Sequence, residues 1–163
     1  MKADAVTLAA ALNNSEVDYY TIPQYQRPYT WTYEEYETLM SNLLEAFESY
    51  QIAQTNSLST DTYFLGPVIF VQNKQKRSFD IIDGQQRTTT FHILLWYLSR
   101  VLTDETEKAR LEQILLFLGK EPRLHVSSRD AAAYQLIRTG TNKLIGDTPM
   151  VMAANYFEQA VQG

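Results

Sequence analysis

Apolar and polar positions change period along this chain, and each change marks an element. Val6 to Asn14 reads as a short helix with Thr7 as a cap, and Asp18 to Ile22 as a strand rich in β-branched and aromatic residues. Pro23 and Pro28 keep Pro23 to Trp31 extended. Thr32 followed by Glu35 is a capping-box pattern, and Tyr36, Leu39, Met40, Leu43 and Phe47 then recur at helical spacing, which predicts a helix to about Tyr50. Gln51 to Asp61 is polar and reads as a loop. Tyr63 to Val71 and Arg77 to Ile82 read as strands joined by a polar turn, Gln72 to Lys76. After Gly84 the period becomes helical from about Thr88 to Leu102, and again from Glu105 to Leu118, between Thr103-Asp104 and Gly119. Arg123 to Val126 suits a short strand, Arg129 to Arg138 a helix stopping near Gly140, and Pro149 to about Val161 a last helix. That helix is still running as the chain ends, which suggests a piece of a longer protein.

Composition narrows the function classes. The 163 residues are 45% hydrophobic, enough for a real core, and carry a formal net charge of −5. That charge opposes non-specific binding to nucleic acid, which depends on neutralising phosphates. With no cysteine, disulfides, thiolate catalysis and cysteine-ligated metals are excluded. Met1 to Leu12 lacks the basic-then-apolar order of a signal peptide, and the most apolar run, Phe91 to Leu98, is too short to span a bilayer. The expectation is a soluble, cytoplasmic protein with no membrane partner.

The sharpest candidate chemistry is the string Asp83-Gly84-Gln85-Gln86-Arg87-Thr88-Thr89-Thr90, placed where a strand ends and a helix starts. A helix start presents unpaired N–H groups and partial positive charge, which suits phosphate. Gly84 permits a tight turn and close approach of a ligand, and Arg87 adds a cationic fork. Gln85 and Gln86 can orient water or read a base edge, and Thr88 and Thr89 offer hydroxyls. The plainer alternative is a helix cap with solvated polar residues. The string is neither a Walker A loop nor a dinucleotide fingerprint, since it lacks the Lys-Ser/Thr pair and the further glycines. A second segment, Ile22-Pro23-Gln24-Tyr25-Gln26-Arg27-Pro28-Tyr29-Thr30-Trp31, combines donors with flat aromatic faces. Its plainer reading has the aromatics packed on the next helix and Arg27 paired with an acid.

Taken in order, the Ile-Pro-x-x-Gln-Arg loop, the helix, Tyr63-Phe64-Leu65-Gly66, a strand hairpin and Asp-Gly-Gln-Gln-Arg-Thr-Thr-Thr resemble the DUF262 family. That family includes subunits of modification-dependent restriction enzymes and phage-defence systems. The layout is similar, more loosely, to the ParB/sulfiredoxin fold. The resemblance covers Val6 to Leu102 well and continues more weakly through Arg123-Leu124 and Asn155-Tyr156. It implies an α+β domain with a small mixed sheet, a nucleotide-binding core over 1–102 and a helical extension over 103–163. It also implies nucleoside triphosphate binding and, in several relatives, hydrolysis tied to control of a nuclease. Carried over by position, Asp83, Gln85, Gln86 and Arg87 become the catalytic set, and Gln24, Gln26, Arg27, Gly84, Arg87, Thr88 and Thr89 the nucleotide-binding set. Relatives usually have Leu where this chain has Thr88. Asp83 suits Mg2+ held through water beside a triphosphate, and equally suits fixing Arg87 or capping the helix. No direct protein metal site is expected.

Many relatives add an HNH-type nuclease, whereas here His92 and His125 stand alone with no such motif. The expected partners are therefore a nucleotide, a nuclease domain or subunit, and DNA through a full-length protein. The rival readings are a non-catalytic DNA-sensing module and a protein-interaction module without turnover. Lys74, Lys76 and Arg77 read as a solvated turn, with a DNA phosphate contact as the alternative.

Overall fold

Three strands that each end in a loop run side by side in the same direction, and this arrangement organises the molecule. The computed structural model describes residues 2–58, 63–140 and 146–163. The strands are β1 (Tyr19–Thr21), β2 (Ile69–Asn73), β3 (Ser78–Asp83), β4 (Leu116–Phe117), β5 (Glu121–Pro122) and β6 (Leu124–His125). The helices are α1 (Leu8–Leu12), α2 (Tyr33–Thr55), α3 (Gln85–Val101), α4 (Glu105–Leu115), α5 (Ala131–Thr139) and α6 (Pro149–Gln162). The main sheet has the order β2-β3-β1-β6. In it β1 runs parallel to β3 and to β6, while β2 and β3 form the antiparallel hairpin. The fold is α+β, with a small mixed sheet followed by helices.

Side-chain alternation sets what the sheet buries. Tyr20, Ile81 and Leu124 are almost wholly buried and join Ile93, Leu94 and Trp96 of α3, Tyr134 and Ile137 of α5, and Met150, Ala153, Ala154 and Phe157 of α6 in one hydrophobic cluster. Segments on both sides of position 102 thus share a core, and β6 completes the sheet started by β1. A smaller cluster of Leu12, Leu39, Phe91 and Ile114 ties α1, α2, α3 and α4 together.

Helix caps follow local chemistry. Thr7 accepts from the Ala10 amide, Asp104 from those of Thr106 and Glu107, and Thr148 from Val151. Glu35 closes the capping box at Thr32. Several boundaries differ from those read in the sequence. Helix α2 continues through Gln51–Thr55, because Gln-Ile-Ala-Gln-Thr is polar but contains no helix breaker; it stops at Asn56 and the left-handed Ser57. Residues 59–61 of the expected loop lie outside the described residues. The strand expected from Tyr63 begins only at Ile69, since Gly66 turns at φ +98° ahead of Pro67. Helix α3 begins at Gln85, three residues early, because Gln, Gln and Arg propagate a helix once Gly84 has made the turn. Helix α4 stops at Leu115, and the apolar residues after it form the β4–β5 hairpin through Leu118 (φ 51°) and Gly119 (φ 70°). Among the described residues no helix is long and apolar enough to cross a membrane.

Candidate functional site

Because β1, β3 and β6 are parallel, their C-terminal ends open onto one edge of the sheet. The three segments that leave there are Ile22–Trp31, Asp83–Arg87 and Val126–Asp130. In open sheets of parallel strands, ligands bind outside the carboxyl ends. Here those segments are joined side chain to side chain.

The second segment is a strand-to-helix turn. Gly84 adopts φ 85° as the residue before α3, and a Cβ there would sit 3.0 Å from the Val68 side chain. Both its conformation and its surroundings therefore call for glycine. Asp83 is exposed, and its Oδ1 accepts from the Gly84 amide at 2.9 Å. Arg87 lies in the first turn of α3, partly exposed, and its Nη1 donates to the Pro67 carbonyl at 3.0 Å. Its guanidinium lies against Gly66, where a Cβ would approach it to 3.0 Å. Gly66 thus provides the flat bed on which Arg87 rests, which accounts for the glycine of the Tyr-Phe-Leu-Gly string.

The two glutamines differ. Gln85 is half-buried and donates through Nε2 to Gln26 Oε1 at 3.2 Å. Gln86 is buried; its Oε1 accepts from the Thr30 amide at 2.8 Å and its Nε2 donates to the Pro28 carbonyl at 3.1 Å. Both ends of its carboxamide hold the first loop. Thr88 and Thr89 are buried, and the Thr89 hydroxyl donates to the Gln85 carbonyl at 2.7 Å. Thr90 likewise donates to the Gln86 carbonyl, so the buried Tyr29 hydroxyl, 2.9 Å away, is the donor to Thr90. Burial pushes the Tyr29 phenol well above its ordinary pKa and keeps it neutral.

In the first segment Gln26 Nε2 donates to the Ile82 carbonyl at 3.1 Å, and Gln24 Oε1 accepts from the amide and hydroxyl of Ser128. Tyr29 and Trp31 pack into the core, whereas Tyr25 stays 76% exposed. Arg27 is exposed and makes no hydrogen bond or ion pair among the described residues. Within a chain of net charge −5, the three segments at this edge carry three arginines, Arg27, Arg87 and Arg129, and two aspartates, Asp83 and Asp130.

The GmrSD restriction endonuclease N-terminal domain family has a sequence model that matches residues 8–151 of this chain. The chain belongs to that family. The match to GmrSD_N runs from α1 into α6 and takes in every strand and all three edge segments. The expected link to restriction and defence systems holds at the level of this GmrSD_N domain type. No curated protein matches the chain.

The sequence places Gly66 only in the Tyr-Phe-Leu-Gly string, with no role of its own, and does not single out Ser128 or Asp130. Gly66 carried a signal, a glycine before the strand; Ser128 and Asp130 carried none, since their partners lie about a hundred positions away. Among the described residues no group of three or more His, Asp or Glu side chains could hold a metal directly.

Proposed function

We propose that this domain binds a nucleoside triphosphate at the C-terminal edge of its parallel strands and hydrolyses it. In this reading it acts as a regulatory or sensor module of a DNA-targeting restriction or anti-phage protein whose nuclease lies in another domain or subunit. The carrying observation is that the Gln24–Arg27 and Asp83–Arg87 segments meet at the start of α3 through the Gln26–Gln85 hydrogen bond. The reading is also consistent with the expected ParB/sulfiredoxin likeness, in which two boxes line a phosphate site.

Each residue then has a role set by the donors it has left. The Gln85, Gln86 and Arg87 amides at the head of α3 offer N–H groups and the positive end of a helix dipole to phosphate oxygens. Arg27, with its guanidinium free among the described residues, takes the distal phosphates, and Arg87, held by Pro67 and Gly66, stabilises the charge that develops as the terminal phosphoryl group leaves. Gln85, whose Oε1 has no protein partner among the described residues, orients the attacking water. Gln86 is committed at both ends to Pro28 and Thr30 and shapes the site instead. Thr88 and Thr89 support the first turn from beneath. The exposed Asp83 carboxylate, with Oδ2 uncommitted among the described residues, fits Mg2+ held through water; Mg2+ would neutralise phosphate charge.

Thermal shift against ATP, GTP, CTP and UTP, with and without Mg2+, tests the binding. A ligand at a hundred times its dissociation constant adds about 2.7 kcal/mol to native stability. A clear rise in melting temperature with at least one triphosphate is expected, and none with any of the four contradicts the reading. Phosphate release then separates an enzyme from a sensor that binds without turnover.

A further inference from the structure

The first loop is held in place chiefly by side chains from elsewhere, and one of them gives up its usual local role. Within residues 23–31 a single backbone bond among the described residues, Gln26 N to the Pro23 carbonyl at 3.0 Å, closes a turn. Beyond it, the two successive amides of Tyr29 and Thr30 are caught from different parts of the chain. Gln86 of α3 takes Thr30 at 2.8 Å, and Asp130 Oδ2 takes Tyr29 at 2.8 Å, across 101 positions of sequence. Asp130 stands at the N-cap of α5, where an aspartate ordinarily accepts from its own helix's first amides. It makes no such cap bond; its backbone is αR rather than extended, and its carboxylate reaches to the first loop instead. Two residues before it, Ser128 holds Gln24 Oε1 through both amide and hydroxyl, at 3.1 and 2.9 Å. The loop after β6 therefore grips the first loop at two points on either side of Arg27, whose guanidinium is free among the described residues.

We infer that the Ser127–Asp130 loop is a third component of the nucleotide site and that Asp130 is its positioning residue, fixing the Tyr29 backbone so that Arg27 is presented to phosphate. This rests on the triphosphate reading above. Asp130 touches no ligand; it acts through the loop. A carboxamide can still accept the Tyr29 N–H, so Asp130→Asn keeps the contact and Asp130→Ala removes it.

The test uses the whole chain with two readouts. Amide hydrogen exchange across Pro23–Trp31, without nucleotide, reports whether the loop is held. Calorimetry with the magnesium complexes of ATP, GTP, CTP and UTP reports whether the site depends on that hold. Asp130→Ala should speed exchange at the Tyr29 amide at least tenfold and weaken triphosphate binding by about tenfold or more, since a small misplacement of a binding group is costly. Asp130→Asn should restore both toward wild type. Should Asp130→Ala fail to fold, Ser128→Ala, at an exposed position, should show the same two effects at smaller size. Loop exchange unchanged in folded Asp130→Ala overturns the inference, as does unchanged affinity with the loop released. If wild type binds no triphosphate, the nucleotide reading falls and the site inference with it, while the exchange result still decides whether Asp130 holds the loop.

Discussion

At the N-terminal ends of β1 and β6, Arg123 donates all five of its N–H groups, to the carbonyls of Asn14, Val17, Asp18 and Gln113 and to Asn13 Oδ1, and it stacks over Tyr20. At the C-terminal ends of β1 and β3, Arg27 makes no such bond among the described residues and Arg87 makes one. Arg123 is buried, while Arg27 is exposed. A groove of about 460 Å3 adjoins the Arg123 end, yet Arg123, the one cation lining it among the described residues, has no donor left for a ligand. What separates a structural arginine from a candidate binding arginine here is unused hydrogen-bonding capacity. Charge and residue type alone do not distinguish them.

The comparison breaks most visibly in stability. Arg123→Ala strips buried acceptors of their donor, at about 1–3 kcal/mol for each group left unsatisfied. Urea denaturation should therefore show a loss of at least about 3 kcal/mol or no folded protein, whereas Arg27→Ala, at the surface, should stay within about 0.5 kcal/mol of wild type. Similar losses for the two would erase the distinction.

Next in size is an effect of pH at the closed end. His92 is fully buried with neither ring nitrogen partnered among the described residues, and burial, aided by the Arg123 charge, lowers its pKa from 6.5 to about 3. The unfolded chain takes up a proton below about pH 6.5 that the folded chain refuses until about pH 3, so stability falls as pH falls through that window. Between pH 7 and pH 5 the His92 contribution should be a loss of about 2 kcal/mol. Replacing His92 with Leu should flatten the stability-against-pH curve there, and an unaltered curve would count against a neutral buried imidazole.

Smaller still is the contrast between adjacent glutamines. Gln86→Ala leaves the Thr30 amide and the Pro28 carbonyl without partners, for a loss of about 1–2 kcal/mol together with looser nucleotide binding. Gln85→Ala breaks one bridge to Gln26 and should leave stability nearly intact while turnover falls more than affinity. Calorimetric affinity beside phosphate-release rates separates the two, and a reversal of the pattern would exchange their roles.

Local signals were legible in the chain, and distant partners were not. Thr32 with Glu35, Asp104, and Pro149 after Thr148 mark helix starts because a cap depends on neighbours within a turn. The Asp83-Gly84 turn was equally readable, since a glycine between an alternating and a helical segment has few other uses. The β4–β5 hairpin escaped notice because two-residue strands have no period to detect, and Leu118 is an improbable residue for a left-handed turn. The fate of Gln86 could not be read either. A glutamine at a helix start serves water or backbone equally well until the first loop is laid against it. Thr88 and Thr89 offered hydroxyls in the string, but the helix turns them inward, and only the three-dimensional arrangement tells which side of the first turn faces solvent.

The most direct test is calorimetric titration of wild type, Arg27→Ala and Arg87→Ala with whichever triphosphate raises the melting temperature most. A charge-assisted hydrogen bond contributes about 1.5–3 kcal/mol, so each variant should bind roughly ten- to a hundredfold more weakly with its fold intact. Lysine at position 87 should recover only part of the loss, because it restores charge without the planar fork. Wild-type affinity in folded Arg27→Ala and Arg87→Ala proteins would contradict a triphosphate site at this edge of the sheet.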